Sequence, residues 1–325
     1  MKTWQHLLVA IADPFSSRQL AIRKTAAIAS RCGARMTLFN AFSLPYPLPE
    51  PEPVSSDEAL YAAIRHRTKA LARLARPLQK KGISVDCVVE WDFPAHDAII
   101  RHALKTRPDV VVAESHHHNK LARWLLANTD WELIRACPCP LWFVKSQQLP
   151  ASLPVLAAVD PLHAHAKPAQ LDDRILDEAA AVATQLGGSI NMVHACTPPL
   201  SNSSATFIEP LRIPISPDRA KRFLAGIQKE VEALAKRHAV DAGRCFTREG
   251  DPVEVISGLV ATLKANVLVM GAVSRSSLQK SFIGNTAEKL IDKVRCDVLI
   301  VKPAGFKTSV PRKSAAELLH RRAAS

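Results

Sequence analysis

Two stretches of this chain can be laid on one another without a gap. Asp109 to Lys145 falls on Asn266 to Lys302 at one constant offset (266 − 109 and 302 − 145 are both 157). Val110-Val111-Val112 falls on Val267-Leu268-Val269, Asn128-Thr129 on Asn285-Thr286, Leu133-Ile134 on Leu290-Ile291 and Val144-Lys145 on Val301-Lys302. The starts also correspond, Leu7 to Pro14 resembling Val155 to Pro161, and each half has a Pro-rich interruption, Pro45 to Pro53 and Pro198 to Pro217. Self-similarity at this period means two diverged copies of one domain, and 325 residues suits two domains of ordinary size. The copies are placed at residues 1–147 and 152–303, followed by a basic, flexible tail at 304–325.

Within each copy, short apolar runs alternate with helical patterns. In the first half strands are expected at 7–12, 35–41, 83–89, 109–114 and 140–145, and helices at 17–32, 57–80, 95–106 and 128–136. Runs such as Val267-Leu268-Val269-Met270 and Val298-Leu299-Ile300-Val301 are apolar on both strand faces, the mark of a parallel sheet covered on both sides. Strand and helix in alternation then give a doubly wound α/β domain, twice over.

Composition narrows the functional classes. No apolar run approaches the roughly 20 residues that span a bilayer, and the start lacks a signal-peptide pattern. A cytoplasmic protein without a membrane partner is therefore expected. The net charge of +13 would suit nucleic acid, but much of it lies on solvated helix faces and in the tail, with no base-stacking pattern or zinc-finger spacing. Specific nucleic-acid binding is not expected. Seven scattered cysteines read as reduced, structural thiols, and Cys137-Pro138-Cys139 lacks the two-residue spacer of redox and zinc motifs.

In an open α/β sheet, ligands sit beyond the carboxyl ends of the strands where strand order reverses. In the second half Asp160 ends the first strand and Gly271 the fourth; a loop through Ser274 and Arg275 then leads to Gly284-Asn285-Thr286, which opens a helix. Glycine lets the backbone approach a ligand, and a helix start offers unpaired N–H groups to phosphate. A competing, purely structural reading makes Asn285 the helix N-cap, with Glu288 completing a variant capping box.

The stretch from Gly271 to Lys302 resembles the universal stress proteins, whose nucleotide-binding members carry glycine, two residues, glycine, nine residues, glycine, then serine or threonine. Gly271 and Gly284 match the first and third glycines; Ser274 stands at the middle one and Asn285, with Thr286 behind it, at the last position. The likeness runs to about Pro303 and is greatest to the tandem members, the E subgroup, through Thr129-Asp130-Trp131 and Gly284 to Glu288. It implies a five-stranded, adenine-nucleotide α-hydrolase-like domain in each half, with the last strands paired edge to edge as an intramolecular pseudo-dimer. It implies too that Asp160 faces the nucleoside of ATP or another adenine nucleotide. Gly271, Ser274, Arg275, Gly284, Asn285 and Thr286 would then surround the phosphates. Finally it implies a non-enzymatic part in resistance to starvation, oxidative or DNA-damaging stress, through protein partners that the sequence does not identify.

The first half departs further from the pattern. Glu114, His117 and Ala127 stand where the second half has Gly271, Ser274 and Gly284, and a carboxylate repels phosphate, so nucleotide is expected in the second half only. Two other chemistries stay open. Glu114, His116 and His118 share one side of an extended segment and are zinc-ligand types, though no fourth ligand is identifiable and a solvated polar loop is the competing reading. A weak ATP hydrolase, or a metal or small-molecule binder in a re-purposed pocket, is the alternative function. There is no Gly-x-Ser-x-Gly elbow and no phosphate loop ending in Gly-Lys-Ser/Thr to support catalysis by named residues.

Overall fold

The computed structural model describes residues 3–43, 56–92, 94–114, 127–145, 153–161, 170–196, 217–272 and 284–314. In the first half β1 (His6–Ala10), α1 (Leu20–Cys32), β2 (Arg35–Phe42), α2 (Ser56–Gln79), β3 (Val85–Trp91), α3 (Ala95–Thr106), β4 (Val110–Glu114), α4 (Ala127–Ala136) and β5 (Leu141–Val144) follow one another. The second half repeats the order with β6 (Pro154–Ala158), α5 (Leu171–Leu186), β7 (Ser189–Cys196), α6 (Pro217–Arg237), β8 (Cys245–Glu249), α7 (Pro252–Thr262), β9 (Val267–Gly271), α8 (Asn285–Lys293) and β10 (Asp297–Val301). The corresponding helices α1 and α5 each stop at a glycine with positive φ, Gly33 and Gly187, where a left-handed residue closes the last turn. The helix expected from residue 17 starts at Leu20. The preceding chain is bent instead, with the Phe15 N–H on Asp13 Oδ1 and the Gln19 amide on the carbonyls of Asp13 and Ser16.

All ten strands form one sheet in the order β3-β2-β1-β4-β5-β10-β9-β6-β7-β8. Each half is parallel throughout, and the halves join through an antiparallel pair, Val298 opposite Phe143, Leu299 opposite Trp142 and Ile300 opposite Leu141. The fold is therefore two doubly wound five-stranded domains fused at their last strands, the pseudo-dimer implied by the resemblance.

Side-chain alternation divides each strand between two buried layers. Leu7 and Val9 join one core with α1, α2, α5 and α6; Leu8 and Ala10 join the other with α3, α4, α7 and α8. Both layers continue across the seam, where Trp142 is fully buried and meets Trp4 edge-on at 5.6 Å. Connections β1 to β3 lay α1 and α2 on one face, and the return to β4 lays α3 and α4 on the other. That reversal leaves a crevice beside the carboxyl end of β1, and beside β6 in the second half.

Candidate functional site

In the second domain β6 and β9 are the neighbours between which strand order reverses, in register as Ala158 opposite Met270. Asp160 and Gly271 thus emerge at the same end of adjacent strands. The Asp160 N–H donates to Asp172 Oδ1 at 3.0 Å, and Asp160 Oδ1 stands 3.8 Å from Nδ1 of His194, a residue of β7 that is 2% exposed. His194 Nδ1 is also 3.2 Å from the Val159 carbonyl, while its buried Nε2 has no hydrogen-bond partner among the described residues. Gly271 is half-buried against α5. A Cβ there would lie 2.8 Å from Leu171 Cδ2 and 3.4 Å from Ile175 Cδ1, so a larger residue would make the Leu171 side chain shift.

The helix that follows starts one residue before the capping-box reading allows. Gly284, at φ −56° and ψ 135°, is the N-cap of α8, and its carbonyl accepts from Ala287 N–H (2.8 Å) and Glu288 N–H (3.2 Å). Asn285 and Thr286 are the first two helical residues, and among the described residues no side chain caps the end. Glu288 is thereby displaced past the third helical position that a capping box needs. The first-turn N–H groups face the carboxyl end of the sheet, where α-helix starts carry partial positive charge. Ser274 and Arg275 lie outside the described residues.

The corresponding position of the first domain is built differently. Glu114 ends β4 and turns its carboxylate to the start of α1: Oε2 accepts from Leu20 N–H at 3.1 Å, and Oε1 is 3.9 Å from Arg18 Nε. Gln19, the N-cap, supplies no side-chain bond of its own, so a carboxylate from β4 performs the capping. A cavity of about 720 Å³ opens above, with Ile11, Ala41 and Ile99 on its apolar side and Asp13, Arg67 and Asp130 on its polar side. Arg67 is held over the Phe42 ring at 4.5 Å and donates to Asn40 Oδ1 at 3.2 Å. His116 and His118 lie outside the described residues, and among the described residues no group of three His, Cys, Asp or Glu is arranged to hold a metal.

A sequence model described as the Universal stress protein family matches residues 3–145 and 154–302. The chain belongs to the universal stress protein family. Universal stress protein E of Photorhabdus laumondii is 29% identical over 330 residues, covering 98% of this chain and 100% of the relative. Universal stress protein E of Escherichia coli K12 is 28% identical over 316 residues, covering 95% and 98%. Among solved structures, a functionally unknown protein from Pseudomonas aeruginosa PAO1 superposes with a TM-score of 0.68 at 21% identity, covering 92% of this chain and 93% of its own. A universal stress protein from Archaeoglobus fulgidus gives 0.64 at 16%, covering 91% and 98%.

Of the residues expected at a nucleotide site, Asp160, Gly271, Gly284, Asn285 and Thr286 lie at the carboxyl edge of this universal stress protein's second sheet half. Sequence reasoning missed two features of the site. His194 stands in no motif along the chain, and only the fold brings β7 beside Asp160. Glu114 was legible as a departure from the glycine pattern, but its capping of α1 depends on a contact across 94 residues. Among the described residues no helix is long and apolar enough to cross a membrane.

Proposed function

We propose that this chain is a cytoplasmic, non-enzymatic stress-response protein that binds an adenine nucleotide such as ATP in its second domain. The observation that supports the reading is that Asp160 and the close-packed Gly271 emerge at one strand-order reversal, with an α8 start that no described side chain caps following β9. In this reading Asp160 receives the nucleoside. Gly271, Ser274 and Arg275 line the phosphate turn, and Gly284, Asn285 and Thr286 present the helix start. Binding would bias the segment 198–217 and so the choice of protein partner. A second reading places a small molecule of another class in the first domain, because the 720 Å³ cavity there combines an apolar wall with Asp13, Arg67, Glu114 and Asp130.

One experiment separates them. Protein purified without tags is denatured, and the released small molecules are identified by mass spectrometry. About one adenine nucleotide per chain is expected from the unaltered protein, and none from Gly284→Trp, which blocks the helix start. Nucleotide retained by Gly284→Trp would overturn the second-domain assignment. A different molecule, lost on Ser43→Trp at the cavity edge but kept by Gly284→Trp, would establish the second reading. ATP turnover abolished by Gly284→Trp would convert the binder into a hydrolase.

A further inference from the structure

Two thiols lie together where α4 runs into the seam strand β5. The Cys137 N–H closes the helix on Leu133 O at 2.9 Å, and Cys137 Sγ is 3.7 Å from Cys139 Sγ with only Pro138 between them. Their surroundings differ: Cys137 is 1% exposed, in the core, whereas Cys139 is half-buried and reaches the surface. Beyond them lies Lys302, which follows β10 of the other domain and donates to Ala272 O at 3.0 Å. The hydrogen bond from Cys139, against the opposing effect of burial, draws the Cys137 thiol below its usual value, and the Lys302 ammonium adds to the effect. Burial brings Lys302 down to about 8, with Cys137 acting the other way. Elsewhere burial pushes up the thiols of Cys32, Cys87, Cys196 and Cys245, and takes Cys296 up to about 12. The thiol that is drawn down is thus the one that has a second sulfur 3.7 Å away.

We propose that Cys137 and Cys139 are a peroxide-reactive dithiol that closes to an intramolecular disulfide. The partly exposed Cys139 meets a hydroperoxide first. The Cys139 thiol gives its proton to solvent, its sulfur attacks one peroxide oxygen, the O–O bond breaks, and the other oxygen leaves as an alcohol, or as water from hydrogen peroxide, after taking a proton from solvent. Cys139 is then a sulfenic acid. The Cys137 thiolate attacks that sulfur, the S–S bond forms, and the sulfenic oxygen leaves as water with a second solvent proton. Two thiols and one hydroperoxide thus give one disulfide, one alcohol and one water. The sulfurs move from 3.7 Å to the disulfide distance of about 2.05 Å.

The test uses the full chain. Reduced protein receives about one equivalent of hydrogen peroxide, is alkylated under denaturing conditions and is cut with trypsin. Ala136 to Lys145 is one tryptic peptide, holding both cysteines and none of the other five. That peptide is expected to escape alkylation and to weigh about 2 Da less than its dithiol form, the loss of two hydrogens, until dithiothreitol restores it. The other cysteine peptides are expected to remain alkylated. Cys137→Ser is expected to leave a sulfenic acid on Cys139 that dimedone traps, and Cys139→Ser to leave Cys137 as an alkylatable thiol. Full alkylation of the peptide after peroxide, a sulfinic acid in place of the disulfide, or a disulfide joining two chains would each overturn the proposal.

Discussion

At Gly271 two demands fall on one position. In the proposed site a glycine there serves ligand approach, while α5 presses on the same space: Leu171 and Ile175, 2% and 1% exposed, would have to shift for a Cβ. The φ of Gly271 is not in the left-handed region, so the requirement is steric rather than conformational. Gly271→Ala is expected to lower stability by about 1–2 kcal/mol through overpacking, read as a shift in the urea midpoint. Leu171→Val, which removes the nearest carbon, is expected to return most of that loss in the double variant. An unchanged midpoint in Gly271→Ala, with diminished nucleotide release, would show that the glycine serves the ligand and not the helix. Glu114 makes the reverse point in the first domain, where the same position carries a side chain whose carboxylate accepts from the Leu20 N–H at the start of α1.

At the scale of elements, α1 is tied to the other domain's β10. Lys24 Nζ, 2% exposed, is 2.5 Å from Asp297 Oδ2, which is fully buried; the same carboxylate accepts from Trp142 Nε1 at 2.9 Å and, through Oδ1, from Lys145 N–H at 3.0 Å. These three donors to Asp297 all belong to the first domain, so one carboxylate at the start of β10 helps to set the register of the seam. Lys145 reinforces it by donating to the Ile291 and Val294 carbonyls at the end of α8. Removing one member of a buried pair costs more than the pair contributes, since the other charge stays desolvated. Asp297→Leu is therefore expected to destabilise by about 3–5 kcal/mol, and Lys24→Met/Asp297→Asn by clearly less. Guanidinium unfolding of both variants decides it: equal losses would mean that the charge of Lys24 is not what the carboxylate answers.

At the scale of the whole molecule, neither half has a finished sheet by itself. β5 and β10 are edge strands if the domains are separated, and both carry side chains that are buried on each face, Leu141 to Val144 and Val298 to Val301. An apolar, flat edge of that kind recruits another strand. The seam is antiparallel, the arrangement that a twofold axis generates from identical strands. Residues 1–150 expressed alone are expected to dimerise through β5, seen as twice the monomer mass by light scattering. A folded monomer at micromolar concentration would show that the domain does not need its fused partner. Residues beyond β10 bind the halves further: Val310 packs on the core of α3, α4, α7 and α8, and the Pro311 carbonyl accepts from Arg101 of α3 at 3.3 Å.

The sequence by itself determined the duplication, the strand–helix alternation and the parallel, doubly covered sheet, because each is written in periodicities that any local stretch carries. Val110-Val111-Val112 and Val267-Leu268-Val269 are apolar on both faces wherever they sit, and sheet burial follows. The family motif at Gly271 and Gly284 was legible for the same reason, as spacing along the chain. Only the tertiary structure decided which glycine α5 presses on, which residue caps α8, where Glu114 sends its carboxylate, and that Lys302 of one domain approaches Cys137 of the other. The Lys24–Asp297 pair joins residues 273 apart in sequence. Contacts of that range are set by how crossover helices lie on a twisted sheet and by the join of β5 to β10, and neither leaves a periodic trace along the chain.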